Sequence, residues 1–258
     1  DFGCDEQDFI KECHATIKLG IKHIGWNKDP KKFYYGPIDG TPTSNDRCDI
    51  VFQHALGFRD QDYLHLATEL GYKIHHNKNS FVQLKGNHAY HFDAHKVGQY
   101  FRKICNTVTH IDSEVEQVQL NSESGYVDGV KLSKGDTVEG DMFIDASGFN
   151  QVLMKAVGGK WKSYRDNLPV NGALPFLLPY EDDEKIEPVT NAWAQNNGWC
   201  WQIPTKNRRG CGYVFCDSFV TPDQAHAELE QTLGHKVEPI RHIKFDSGRQ
   251  ETLWIKNV

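Results

Sequence analysis

Gly198-Trp199-Cys200-Trp201-Gln202-Ile203-Pro204 sets two of the chain's six tryptophans two residues apart, between a glycine and a proline. Two residues is the period of a β-strand, so both indoles face the same way. Large, flat, rigid rings on one face make a wall. Either the wall packs on a hydrophobic layer, or it borders a cofactor cleft and decides what reaches the cofactor. Similar short segments flank it, around Leu174–Leu178, Ala192–Ala194 and Gly212–Cys216, so residues 168–258 read as an antiparallel sheet. Thr221-Pro222-Asp223-Gln224 is a helix start, with Thr221 as N-cap, Pro222 in the first turn and Gln224 completing a capping box. That helix carries Ala225, Leu229 and Leu233 and stops at Gly234. A last strand is expected from Ile240 to Phe245, leading to Gly248-Arg249.

Upstream, residues 5–24 place Phe9, Ile10, Cys13, Ile17 and Ile21 on one stripe, which predicts an amphipathic helix running towards Trp26. Pro30, Gly36, Pro37, Gly40 and Pro42 predict an irregular loop. A short helix is expected over Asp60 to Leu70, stopped by Gly71, and the polar stretch Lys73 to Gly86 stays unassigned. Asp93 can cap a helix over Ala94 to Cys105, with Val97, Phe101, Ile104 and Cys105 on its buried side. Thr109 to Leu120 reads as a strand, and Val127 to Leu132 with Thr137 to Glu139 as a hairpin around Ser133-Lys134-Gly135-Asp136. Met142-Phe143-Ile144 reads as a buried strand ending at Asp145-Ala146-Ser147-Gly148, a small-residue turn where backbone can approach a ligand closely.

With 258 residues, 38% apolar and 12% aromatic, the chain can bury a sizeable core. Its mean hydropathy of -0.61 comes without a long apolar run, which predicts a soluble protein with no transmembrane helix or signal peptide. The net charge of -6, with both signs interspersed, leaves no basic stripe for nucleic acid. Seven cysteines without repeating spacing predict reduced thiols and a cytoplasmic location. His91 and His95 stand four apart and could chelate a metal on a helix, but no third ligand is indicated; no metal site is expected.

The heptapeptide reproduces the Gly-Trp-x-Trp-x-Ile-Pro signature of flavin-dependent, tryptophan-type halogenases, and the chain resembles that family from near residue 1 to residue 258. Asp1-Phe2-Gly3 through Trp26, Tyr90-His91-Phe92-Asp93-Ala94-His95, Asp141 to Phe149, Gly212-Tyr213-Val214-Phe215, Ile243-Lys244-Phe245, Gly248-Arg249, Trp254 and Asn257 continue the family order. The Trp pair alone is specific to halogenases.

The resemblance implies an α/β (α+β) class: part of a glutathione-reductase-type FAD-binding fold with an antiparallel substrate-side sheet. Residues 1–167 would be a partial FAD-binding domain with an inserted loop region, and 168–258 the substrate-side sheet and the return to that domain. No Gly-x-Gly-x-x-Gly phosphate loop occurs in the chain. The family carries it, and its catalytic lysine, before the segment matching Asp1, and its catalytic glutamate after Val258. The resemblance therefore implies an internal fragment, poor at binding FAD and inactive by itself.

For the parent, the resemblance implies FAD-dependent halogenation of an electron-rich aromatic, tryptophan, indole-like or phenolic, through a flavin hydroperoxide and hypohalous acid. Reduced FAD would come from a separate flavin reductase, and a halide ion would be co-substrate. Trp199, Trp201, Ile203 and Pro204 would keep the aromatic ring off the flavin. Val115 matches a position whose backbone meets the adenine side, and Asp145, Ala146, Ser147 and Gly148 match the turn near the pyrophosphate. Phe33-Tyr34-Tyr35 lies where tryptophan halogenases sandwich the indole, but Tyr35 stands in place of a histidine and Gly36-Pro37 in place of the second aromatic. Asp246-Ser247 likewise replaces a basic-apolar pair. A flavin monooxygenase and a non-catalytic aromatic-binding protein are the competing readings.

Overall fold

The computed structural model describes residues 3–27, 29, 32–37, 89–182 and 184–258. The helix expected over Asp60 to Leu70, the segment Lys73 to Gly86, and Pro30, Gly40 and Pro42 lie outside the described residues. The chain forms two compact units, each discontinuous in sequence: Asp1–Asn106 with Gly172–Lys244, and Thr107–Asn171 with Phe245–Val258. The expected division at 167/168 falls four residues before one of these crossings; the crossing at 106/107 has no counterpart in it.

The first unit opens with α1 (Glu6–Glu12), which Asp5 caps by accepting from the Asp8 N–H at 2.9 Å. The helix expected over residues 5–24 ends there. His14 takes a left-handed backbone (φ 50), and the β-branched residues beyond it enter β1 (Thr16–Lys18) and β2 (Gly20–Ile24). β3 (Phe33–Pro37) is a strand where a loop was expected; among the described residues it is the last strand of its sheet, a place where Gly36 and Pro37 are tolerated.

β4 (Ala89–His91) pairs with β1 and leads into α2 (Ala94–Ile104). Asp93 caps α2 as expected, accepting from the N–H groups of His95 and Lys96, and also pairs with Arg208 at 2.6 Å. The buried residue of α2 is Tyr100 rather than Phe101, because Tyr100 meets Phe9 edge-on at 5.9 Å while Phe101 faces outward.

β9 (Gly172–Leu178), β10 (Val189–Ala194), β11 (Gly198–Pro204) and β12 (Arg209–Phe215) are the strands expected from the period-two pattern. With β13 (Ile243–Lys244), β2 and β3 they form a seven-stranded sheet in the order β13-β9-β12-β11-β10-β2-β3. The β10–β2 pair is parallel and the others antiparallel. α4 (Pro222–Leu233) has the capping box of Thr221 and Gln224 and ends at Gly234 with φ 76. Its Ala225 and Leu229 pack on Leu174, Phe176, Cys200, Cys211, Tyr213 and Phe215, the core face of the sheet. The last strand is shorter than expected, since the Ile240 N–H bonds the Pro175 carbonyl and the β13–β9 ladder is confined to Ile243–Lys244.

In the second unit β5 (Val115–Leu120), β6 (Val127–Leu132) and β7 (Thr137–Glu139) form an antiparallel sheet, and β8 (Trp161–Ser163) pairs with β14 (Gly248–Gln250). β5 starts at Val115 rather than Thr109, because its partner β6 ends at Leu132 opposite Val115. Leu153 and Met154 of α3 (Val152–Ala156) pack with Val127 and Val258 in this unit's core. Met142-Phe143-Ile144 is not the buried strand expected: Met142 and Ile144 are 58% and 81% exposed, and no ladder forms here among the described residues. The Phe143 N–H bonds the Asn257 carbonyl instead. No described helix is long and apolar enough to cross a membrane.

Candidate functional site

Alternation along β11 puts Trp199, Trp201 and Ile203 on one face and buries Cys200 on the other, against the α4 core. The two indoles meet edge-on, with centroids 6.2 Å apart and planes at 60°. The strand is anchored at both ends. At the start, the Asn196 N–H and the Asn197 side-chain amide donate to the carboxylate of Glu228 on α4, at 2.7 and 2.8 Å, and the Tyr213 hydroxyl donates to it at 2.9 Å. Gly198 lies so close to β12 that a Cβ there would fall 1.8 Å from the Val214 carbonyl oxygen.

At the far end Pro204 is buried on the core side of the alternation, and its carbonyl accepts the Thr16 hydroxyl at 2.6 Å. Thr16 has a single hydroxyl proton, so towards His91 Nδ1, 3.2 Å away, it can only accept. His91 therefore carries a proton on Nδ1, and its Nε2 lies 2.9 Å from the Thr190 hydroxyl. Nitrogen NMR of the protein is expected to show a proton on His91 Nδ1; a bare Nδ1 would overturn this assignment. The helical His91/His95 pair is corrected as well: His91 lies in β4, before the Asp93 cap, with both nitrogens engaged. Among the described residues no group of three metal-ligating side chains occurs.

Register places the other candidates of this unit. One row runs through Gly212, Trp201, Ala192, His23 and Tyr34. The next runs through Tyr213, Cys200, Trp193, Ile24 and Phe33, so Phe33 belongs to the core-facing rows and not to the tryptophan face. Phe33 has the Lys22 ammonium 4.7 Å from its ring centroid. Tyr35 is opposite Lys22. Beside the tryptophan face, the Trp26 indole N–H donates to the Ala192 carbonyl at 2.8 Å, and its ring meets His23 edge-on at 6.2 Å. Burial lowers the His23 pKa and favours the neutral ring. Burial also pushes the Cys200 and Cys211 thiols up to about 12, so neither is a nucleophile at neutral pH.

In the second unit Asp145 organises the predicted small-residue turn. Its carboxylate accepts from the Ser147 N–H and hydroxyl, at 3.0 and 2.6 Å, and from the Leu153 and Met154 N–H groups at 2.9 and 2.8 Å. Ser147 Oγ also accepts from the Val152 N–H at 2.8 Å. The first three amides of α3 are thus consumed internally. Gly148, at φ 63, has no atom within 4 Å of the place a Cβ would occupy. The Ser147 N–H is taken by Asp145 and the Ser147 and Gly148 carbonyls accept from the Asn150 and Gln151 N–H groups, so what the turn offers a ligand is close approach to the main chain at Gly148, where no side chain stands in the way. Ala146 is exposed beside it, and Val115 opens the edge strand β5.

The tryptophan pair and the Asp145 turn were legible in the sequence. Glu228, the Thr16–His91–Thr190 network and Gly212 were not. The one local signal for the last was Gly210-Cys211-Gly212, two glycines inside a strand pattern.

Comparison with known proteins fits this geometry. The family model for tryptophan halogenase matches residues 1–258. Tryptophan 7-halogenase RebH of Lentzea aerocolonigenes is 30% identical over 287 residues, covering 99% of this chain and 53% of RebH. Tryptophan 6-halogenase ThaL of Streptomyces albogriseolus is 28% identical over 291 residues, covering 99% of this chain and 53% of ThaL. The structure of BrvH, a flavin-dependent halogenase from Brevundimonas sp. BAL3, superposes with a TM-score of 0.78 at 28% identity, covering 99% of this chain and 54% of that one. The chain spans about half the length of the curated relatives it matches. Matched end to end by the family model and sharing the α/β fold of solved flavin-dependent halogenases, the chain belongs to the tryptophan halogenase family.

Proposed function

We propose that the complete protein carrying this chain is a flavin-dependent halogenase acting on an electron-rich aromatic ring: tryptophan, another indole or a phenol. The observation that carries the reading is the pair Trp199 and Trp201, held on the face of β11 away from the core and anchored at both strand ends. When bound, reduced FAD from a separate reductase supplies, with oxygen, the oxidation of a halide ion. The chain's own part is separation and placement. The two indoles exclude direct contact between the aromatic substrate and the flavin, with Ile203 and Pro204 completing and anchoring the wall. They move no proton, since an indole N–H does not titrate near neutral pH.

Gly148 would let the cofactor approach the main chain, with Asp145 and Ser147 shaping the turn and Ala146 beside it. Val115 would meet the adenine side from the edge strand. Phe33, Tyr34 and Tyr35 would supply the substrate side, with Tyr34 in the register row of Trp201.

The test supplies the protein expressed from its complete gene with FAD, a flavin reductase, oxygen, chloride or bromide, and a panel of indoles and phenols, with products read by mass spectrometry. Halide-dependent halogenated product is expected. Hydroxylated product independent of halide would make the protein a monooxygenase, and aromatic binding without flavin or turnover would make it a binding protein. Trp199→Ala with Trp201→Ala is expected to lower halogenated product at least ~10-fold, about 1.4 kcal/mol in effective barrier, while the protein stays folded. Undiminished halogenation would remove the barrier role.

A further inference from the structure

The tilt of Trp201 is set from the neighbouring strand. Trp201 of β11 stands opposite Gly212 of β12. A Cβ at Gly212 would lie 2.0, 2.1 and 2.7 Å from indole atoms Cη2, Cζ2 and Cζ3. The benzo half of the indole therefore occupies the space that a side chain at 212 would fill, and the ring lies across β12 in contact with main chain. On its other flank Trp201 faces Ala192, whose Cβ is present. Trp199 stands opposite Val214, a β-branched residue over which an indole cannot lie in this way. With a glycine opposite one tryptophan and a valine opposite the other, the two rings take different attitudes, their planes 60° apart.

We propose that Gly212 is a positioning residue: by lacking a side chain it seats Trp201 and fixes the geometry of the tryptophan pair. Its consequence for catalysis rests on the barrier reading given above; the geometric claim does not. Any Cβ at 212 makes the ring retreat by at least about 1 Å to reach van der Waals distance. The clashing atoms are the outer end of a side chain, so the ring swings away and the sheet can persist.

The experiment uses the protein expressed from its complete gene, as Gly212→Ala, Trp201→Phe and the double variant, with Trp199→Phe as calibration. Two indoles at this distance and angle couple as excitons in the far-ultraviolet circular dichroism, and Trp199→Phe identifies that couplet by removing it. Gly212→Ala is expected to lose more than half of the couplet at unchanged secondary structure; a couplet of wild-type size and shape overturns the proposal. Halide-dependent turnover is expected to fall several-fold in Gly212→Ala, yet to be the same in Trp201→Phe with or without the alanine, because a phenyl ring lacks the atoms that clash. An equal effect of the alanine in both backgrounds overturns the proposal. If Gly212→Ala alone fails to fold, a double variant that melts with Trp201→Phe upholds it, and a double variant that also fails overturns it. A collapsed couplet with turnover within twofold of wild type upholds the positioning and overturns the barrier reading instead.

Discussion

Tyr213→Ala is expected to destabilise the seven-stranded sheet by about 3–5 kcal/mol, roughly 10 °C in melting midpoint. Tyr213 is fully buried in β12, packs at the centre of the α4 core and tilts against Phe215 with centroids 5.9 Å apart. Truncation removes that volume from a layer closed on one side by strands and on the other by a capped helix, so little of the cavity can collapse. It also removes one of the three donors that hold the Glu228 carboxylate, which then depends on the Asn196 and Asn197 groups alone. Those two residues form the turn into Gly198-Trp199, so the loss reaches the tryptophan face. Tyr213→Phe keeps the volume and gives up one hydrogen bond, an expected cost of about 1–2 kcal/mol. Thermal melts of both variants decide the matter: an alanine variant no less stable than the phenylalanine variant would show that the core relaxes around the missing ring.

Asp145→Ala is expected to release the turn of the second unit, at a cost of about 2–4 kcal/mol to that unit. Four donors converge on this carboxylate, two of them first-turn amides of α3. Burial alone would raise its pKa, but the hydrogen bonds from the Met154 N–H, from Ser147 and from the Leu153 N–H outweigh it and hold the carboxyl below the ordinary aspartate value. A depressed folded pKa stabilises the native state fully above the unfolded value, near pH 4, and that contribution is lost as pH falls through the folded pKa. Hydrogen exchange of the Leu153 and Met154 amides is expected to quicken in the variant at neutral pH, and in the native protein only in acid below about pH 4. Unchanged protection in the variant would mean the helix start is held by its packing on Val127 and Val258. If the turn also carries the cofactor, the same variant weakens FAD retention by the complete protein.

What the sequence discloses is what its near neighbours decide. The strands from Ala192 to Cys216 follow one another as a meander with the strand at Leu174 beside the last of them, and the start of α4 is written in four consecutive residues; all are where the pattern puts them. Gly20–Ile24 is a strand because β10, some 170 residues away, lies beside it, and no local period reports that partner. The stripe of Phe9, Cys13, Ile17 and Ile21 suits a helix equally well, so the period there misleads. Phe33–Pro37 escapes for the complementary reason: glycine and proline mark a loop unless the segment is a sheet edge. Met142-Phe143-Ile144 has the composition of a central strand and lacks strand neighbours among the described residues. At the site, Trp199 and Trp201 show themselves by spacing, whereas Gly212 acquires meaning only once Trp201 is known to stand opposite it. His91 becomes intelligible only when Thr16, Thr190 and the Pro204 carbonyl meet around it.

The parallel pairing of β10 with β2 also constrains the order of assembly. β10 to β12 close through short connections, so the meander bearing the tryptophans can nucleate by itself, with β9 adding beside β12. β2 and β3 have no place in the sheet until Val189 to Trp193 exist to receive Gly20 to Ile24. On a ribosome adding about 5–20 residues per second, β2 and β3 emerge roughly 10–30 s before β10. During that interval β2 is an unsatisfied strand edge, open to wrong pairing with other chains. Slower translation between residues 40 and 190 is expected to lengthen the exposure, and a holdase acting on residues 20–37 to shield it.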